Sequence, residues 1–416
     1  MVSVIGRADE MYQSNRFGFS KHNGAAVVLI ASSLLVHAAD YVVAWGAGTF
    51  VSSPPDYNNY GQSIVPASLT NAAYVAGGWR HSLALNTNRS LTGWGDDTLG
   101  QLDFPAGESD FVAIACGRQH SLALQSSGYV LAAGDDGFGQ TDIPGNLSNV
   151  VAVAGGFYHS LVLRSDGTVA AWGTSTNVAT IGTDPSYGQA LVPAGLSNVV
   201  AVAAGGWHNL ALLADGTLRG WGRDDYGQAD IPPGTINIVA ISAGAAHNLV
   251  LKADGTVGAW GINTYGQTNI PAGLSNVVAI AAGGWHNLAL KQDGTVVAWG
   301  AGGPSTNALV ACGQNIVPTG LSNVVQIAAG NVHSLALVGT GPLPRQAALT
   351  TPAFGTNGFS VSVQSRNGRV YVLEYKNSLL DSNWTALPLN AGTGASLRLS
   401  DPNAPPIHRF YRVRAW

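Results

Sequence analysis

Seven histidines recur through the chain, at His81, His120, His159, His208, His247, His286 and His333. Imidazole is the side chain most often used to bind metals and move protons, so metal binding or acid–base catalysis is the first chemistry to consider. A metal, however, needs its ligands within about 2–2.6 Å of one point. The spacings here are 39, 39, 49, 39, 39 and 47 residues, one histidine in each copy of a repeated unit. Identical places in successive units are spread around a structure rather than gathered. The histidines are therefore predicted to make structural hydrogen bonds between strands or blades. The carboxylates offer little more. Asp166, Asp215, Asp254 and Asp293 precede glycine in hairpin signals. Asp96-Asp97, Asp135-Asp136 and Asp224-Asp225 are pairs of a kind common in turns, although Asp96, Asp135 and Asp224 could between them attract a cation. Cys-x-x-Cys, His-Glu-x-x-His and the phosphate-binding Gly-x-x-x-x-Gly-Lys-Ser/Thr are all missing from the sequence. No catalytic residue, metal ligand or cofactor is predicted.

The more informative residues are those that vary. The two positions before each histidine read Trp79-Arg80, Arg118-Gln119, Phe157-Tyr158, Gly206-Trp207, Ala245-Ala246, Gly284-Trp285 and Asn331-Val332. Aromatics and arginine supply most of the energy at interaction hot spots. Trp79, Arg80, Arg118, Phe157, Tyr158, Trp207 and Trp285 are therefore the candidate ligand-binding residues. Tyr226 and Tyr265 join them from neighbouring loops, with Phe138 beside them. Two readings compete: a binding ring, or rings that cap a channel and pack on one another.

Three kinds of element must position these residues. Val199–Ala204 (VVAVAA) is a short apolar run, while HNLALLA and TLRGWG alternate. Asp-Gly between the second and third runs signals a hairpin that needs positive φ. The glycine three residues before each histidine is expected to make the first turn in the same way. Gly-Gln recurs on the same rhythm, from Gly61 to Gly313. Units of about 40 residues built from three or four strands fit the blades of a β-propeller. The third strand, ending in Trp-Gly, is missing after His333, and YVVAWG at Tyr41–Gly46 supplies it. The N-terminal strand is thus predicted to complete the last blade and close the ring. In this antiparallel blade the turns before the histidines and the loops after Trp-Gly open on one face, the turn face. The Asp-Gly hairpins open on the other.

GGWHNLALKQDGTVVAWG, with a loop such as NTYGQTNIP, resembles the repeat of the regulator of chromosome condensation family. The short period is closer to its compact bacterial branch, which includes secreted seven-bladed β-lactamase inhibitory proteins. The resemblance covers residues 41–341 and implies the propeller fold. It also implies capture of a protein through aromatic turn residues. The chain departs from the exchange-factor members in its shorter period and in having no wedge-like extra hairpin.

The whole is predicted to be all-β. Residues 1–39 read as a signal peptide, residues 40–341 as a seven-bladed β-propeller, and residues 342–416 as a small β-sandwich-like C-terminal domain joined through GTGPLP. The leader has Arg16 and Lys21 ahead of an apolar Gly24–Val36, too short to span a membrane comfortably. Residues 40–341 carry a net charge of −10 and residues 342–416 carry +5. An acidic propeller argues against nucleic acid as the partner. Arg366, Arg369, Arg409, Arg412 and Arg414 form a basic strand set, either a solvated face or a site for an acidic polymer. Cys116 and Cys312 lie in different units, and spacing does not decide whether they pair. Extra residues at Ala47–Tyr60, Thr174–Tyr187 and Ala301–Cys312 lengthen three loops on the turn face. The expected function is that of a secreted, monomeric, non-catalytic protein that captures another protein, an inhibited enzyme being one form of it. A polysaccharide ligand, or catalysis at the propeller mouth, is the alternative.

Overall fold

The computed structural model describes residues 41–49, 59–174, 186–303, 312–339, 349–355, 358–378, 381, 383–404 and 409–416. The leader, most of the three loop insertions and most of the GTGPLP segment lie outside the described residues.

Among the described residues, seven three-stranded antiparallel sheets form the blades. The inner strands are Ala72–Gly77, Phe111–Cys116, Val150–Gly155, Val199–Ala204, Ile238–Ala243, Val277–Ala282 and Val324–Ala329. Neighbouring inner strands abut all the way round, the first against the seventh. Each shifts register after its first residue, as between Val199 and Ala201, and such bulges bend and twist a strand. The middle strands begin at the histidines and are buried almost end to end, as in His208–Leu213. The outer strands end in Trp-Gly or, in the second blade, Ala133-Gly134. Tyr41–Gly46 pairs with His333–Val338, with Trp45 opposite Ser334 and Gly46 opposite His333. That register repeats the pairing of Trp94 with Ser82 and Gly95 with His81 in the first blade. The ring is closed as the missing strand required.

The histidines hold the ring together. Each imidazole Nε2 reaches a serine or asparagine of the next blade, from His81 to Ser121 at 3.0 Å and from His159 to Asn209 at 2.7 Å. The seventh bond, His333 to Ser82 at 2.9 Å, returns to the first blade. Asn209 accepts through Oδ1, and Ser160 spends its own proton on the Gln140 carbonyl. Nε2 must therefore carry the hydrogen, a tautomer assigned from the network. Burial holds the pKa of every ring down, to about 3 at His81 and about 4 at His208, so all are neutral at physiological pH.

The glycines before these histidines depart from expectation. Gly128, Gly167, Gly216, Gly255 and Gly294, in the hairpins, do have positive φ, whereas Gly78, Gly117 and Gly205 do not. They are glycine because of crowding. A Cβ on Gly205 would stand 2.3 Å from the His208 ring and 2.7 Å from the Gly244 carbonyl of the next blade.

The C-terminal strands form two sheets packed face to face. Leu349–Gly355, Gly358–Gln364 and Ser396–Asp401 make one, and Val370–Lys376 with Phe410–Ala415 and two short strands makes the other. Phe359, Val361, Leu373, Leu399 and Tyr411 fill the space between them. Val370–Lys376 is buried on both faces. Tyr371 and Leu373 point into the sandwich, while Val370 and Val372, with Leu389 and Trp416, pack against Val200, Val239 and Leu251 of the propeller. Leu389 N–H donates to the Ala214 carbonyl at 2.8 Å, and Arg414 donates to the Ala253 carbonyl at 2.9 Å. Ala214 and Ala253 sit at the hairpins, so the C-terminal unit rests on the hairpin face. Three of its arginines are not part of a free basic face. Arg409 pairs with buried Asp401 at 2.6 Å, and Arg412 and Arg414 both engage buried Glu374.

Candidate functional site

The opposite face is built by the Gly-Gln loops and the turns before the histidines. Each loop is pinned by its glutamine, which is fully buried. The Gln228 side-chain carbonyl accepts the Tyr226 N–H at 2.8 Å, and the Gln140 side chain accepts that of Phe138 at 2.9 Å. The main-chain carbonyl of the same glutamine takes the indole N–H of the outer-strand tryptophan, as Gln189 does from Trp221 at 3.1 Å. A middle-strand serine or asparagine often donates to it as well, as Asn209 does to Gln189 at 2.8 Å. The same device in all seven loops presents the residue before Gly-Gln at one height: Tyr60, Leu99, Phe138, Tyr187, Tyr226, Tyr265 and Cys312. That position is the signal sequence reasoning missed for Tyr60, Leu99 and Tyr187.

These side chains form an outer ring around the turn tips, and the structure joins the two. Trp79 and Phe157 lie with ring centroids 5.0 Å apart, and Phe157 and Trp207 are 4.7 Å apart in edge contact. Arg118 stands over Trp79 at 4.2 Å and over Tyr158 at 5.1 Å. Tyr158 meets Phe138 of the outer ring at 4.8 Å. Arg223, which the sequence reading did not single out, lies over Tyr187 at 4.7 Å and over Trp207 at 5.3 Å. Tyr226 is 5.8 Å from it on the far side. The structure thus gathers Trp79, Arg118, Phe157, Tyr158, Trp207 and Tyr226 into one crescent over the first four blades. Arg80 sits at its edge, stacked on Tyr60 and donating to that phenol at 3.2 Å. Trp285 and Tyr265 pair with each other at 5.7 Å, apart from the crescent. The fifth and seventh blades carry the buried pairs Ala245-Ala246 and Asn331-Val332.

The rings do pack on one another, as the capping alternative held. Trp79, Phe157 and Trp207 are half-buried, while Leu99, Phe138 and Tyr226 are 46%, 42% and 49% exposed. The buried indole N–H groups of Trp79 and Trp207 find no hydrogen-bond partner within the protein. Inside the crescent lies a cavity of about 120 Å3 at the propeller axis. Trp79, Arg118, Phe157 and Asn331 line it above a floor of glycine and alanine ends of the inner strands.

The acidic pairs are turn residues. Asp97 accepts the Leu102 N–H at 2.8 Å and Asp136 that of Thr141 at 2.9 Å, each closing its own loop. Asp96, Asp135 and Asp224 belong to three separate loops, and each accepts hydrogen bonds from its own loop. Among the described residues no three histidine, cysteine or carboxylate groups are placed to hold a metal ion. Cys116 and Cys312 are both half-buried, and burial pushes the Cys116 thiol up to about 12.

Six segments, residues 73–101, 111–140, 150–177, 199–228, 238–267 and 277–303, match the family model described as Regulator of chromosome condensation (RCC1) repeat. The seventh blade, split between the two ends of the propeller, has no matching segment. Among solved structures, Prp20p from Saccharomyces cerevisiae, studied for its binding to Gsp1p and histones, is similar at 22% identity. The match covers 73% of this chain and 92% of that one, with a TM-score of 0.55. Human WBSCR16 is similar at 22% identity over 71% of this chain and 98% of its own, with a TM-score of 0.55. Yeast RCC1 (Prp20), bound to Kap60, is similar at 21% identity over 78% and 96%, with a TM-score of 0.55. No curated protein matches the chain by sequence.

Proposed function

This chain belongs to the regulator of chromosome condensation (RCC1) repeat family, and we propose that it is a non-catalytic binding protein that captures another protein on its turn face. The observation that carries this is the unbroken line of contacts from Arg118 through Trp79 and Phe157 to Trp207 and Arg223. Such a line is a rigid platform of the residue types that dominate hot spots, rimmed by exposed Leu99, Phe138 and Tyr226. It is variable where the rest of each blade is uniform. Among the described residues the C-terminal unit packs on the hairpin face rather than on this one. That the yeast relatives are described with protein partners supports protein as the ligand class.

The absence of catalysis is part of the proposal. Enzymes bring unlike polar groups together at one point, whereas the crescent offers rings and guanidiniums, and the histidines are neutral and locked between blades. We also propose export, on the strength of residues 1–39, which lie outside the described residues. Among the described residues no helix is long and apolar enough to cross a membrane. An extracellular enzyme, held and inhibited, is the form of partner that suits an exported binder.

The test is affinity capture from culture medium on the immobilised chain, beside a variant carrying Trp79→Ala, Phe157→Ala and Trp207→Ala. The proposal expects one protein retained by the first and lost by the folded variant. Equal retention by both would locate binding elsewhere, and retention of polysaccharide alone would favour the glycan alternative.

A further inference from the structure

The partner's chemistry is written in four loops of one build. The loop that follows the fifth blade is neutral. Asn263 Oδ1 accepts the Thr268 N–H at 3.0 Å, and Asn263 Nδ2 donates to Asn269 at 2.9 Å. The loops after the first, second and fourth blades place Asp97 with Asp103, Asp136 with Asp142, and Asp224 with Asp230 at the same two positions. Asp97, Asp136 and Asp224 take the matching backbone N–H, from Leu102 at 2.8 Å, Thr141 at 2.9 Å and Ala229 at 2.7 Å. The turn therefore needs an acceptor at the first position and no charge, since an asparagine serves. At the second position the neutral loop gains an amide hydrogen bond. In the acidic loops both positions hold carboxylates, which are acceptors only when ionised, so the amide bond of the neutral loop has no counterpart there. Six negative charges are thus surplus to the folding of these loops, and all six carboxylates are exposed.

The surplus charge coincides with the exposed apolar side chains. Leu99, Phe138 and Tyr226 project from the same three loops, 46%, 42% and 49% exposed. On the rest of this face Arg118 and Arg223 are drawn in over aromatic rings. The rim therefore alternates apolar and anionic groups. We propose that it docks a basic segment of the protein partner, in which lysine or arginine alternates with apolar side chains. The cations stand between the paired carboxylates, and the apolar groups rest on Leu99, Phe138 and Tyr226. Opposite charge along such a rim steers encounter and rejects acidic segments. The inference rests on the turn-face reading and names the class of partner for it.

The probe is a dye-labelled peptide of alternating lysine and leucine, with a glutamate–leucine peptide of equal length as its counterpart, read by fluorescence anisotropy on the full chain. Asp97→Asn, Asp136→Asn and Asp224→Asn together preserve the loop hydrogen bond, as Asn263 does. A control triple, Asp166→Asn, Asp215→Asn and Asp293→Asn, removes the same charge from the hairpin face. The expected result is binding of the lysine peptide alone, weakened about tenfold or more by the turn-face triple and less than about twofold by the control. Equal weakening by both triples would reduce the effect to the general field of an acidic protein and overturn the proposal, as would no weakening by either. The natural partner separates this failure from that of the reading beneath it. Capture lost in the aromatic variant but untouched in the turn-face triple overturns the basic segment and leaves the turn face standing. Capture lost in neither removes the turn face itself.

Discussion

The two faces of the propeller are made by the same repeat and have opposite characters. On the hairpin face, Asp166, Asp215, Asp254 and Asp293 each hold a threonine two residues on through its N–H and hydroxyl, and glycine with positive φ completes the turn. Over the third to sixth blades little varies there, and Val370, Val372, Leu389 and Trp416 of the C-terminal unit pack on that side against Val200, Val239 and Leu251 of the fourth and fifth blades. On the turn face the glutamine anchors recur in all seven loops, but what they present changes from blade to blade. A repeat that holds its backbone by side chains buried between blades can vary its tips without disturbing its fold. Uniform residues therefore mark structure in this chain, and irregular ones mark the proposed site.

The largest effect that bears on this contrast is acid unfolding. The folded-state pKa of each ring histidine, about 3 to 4, lies below its unfolded value of 6.5. Between these values the unfolded chain binds more protons, so stability is complete above pH 6.5 and falls as pH drops toward 4. Each histidine withholds roughly 3 kcal/mol at the bottom of that window. We expect one cooperative transition above pH 4, seen by circular dichroism, with uptake of several protons. Gradual unfolding with uptake of a single proton would show that the ring does not act as a unit.

Next is Gly205→Ala, which places a methyl 2.3 Å from His208 and 2.7 Å from the Gly244 carbonyl. The expected loss is about 3 kcal/mol, measured by urea denaturation. Because φ at Gly205 is negative, the cost is steric. Enlarging the space with His208→Ala should therefore recover part of it in the double variant, and additive losses would contradict this. Smallest is Asp293→Ala, which removes the 3.0 Å and 2.5 Å bonds to Thr295. A loss of about 1 kcal/mol is expected for these exposed bonds, with partner capture unchanged.

Much of this was legible because repetition overdetermines it. One histidine, one glycine and one Gly-Gln per unit set the blade count, and the unmatched outer strand after His333 assigned YVVAWG to the last blade. The role of the histidines followed from their recurrence at the same place in every unit. The glycines beside them were misread, because sequence cannot distinguish a residue that needs positive φ from one that needs room. The site was read in part. Turn-tip residues Trp79, Arg118, Phe157, Tyr158 and Trp207 were visible as departures from uniformity. Arg223 and Tyr187 were not, although strand register alone sets Arg223 beside Trp207, its N–H on the Trp207 carbonyl at 2.9 Å, while Tyr187 arrives from the loop between the third and fourth blades. Docking of the C-terminal unit left one trace in the sequence, the unbroken apolar run VYVL, in which both faces of a strand are buried.

The central claim, that partners are taken on the turn face, is tested most directly by hydrogen–deuterium exchange of the chain alone and with its captured protein. The account predicts new protection in the backbone of residues 79–81, 118–120 and 157–159 and in the loops bearing Leu99, Phe138 and Tyr226. Exchange at the Asp-Gly hairpins should not change. Protection confined to the hairpins or the C-terminal strands, with the turn tips exchanging as before, would contradict it.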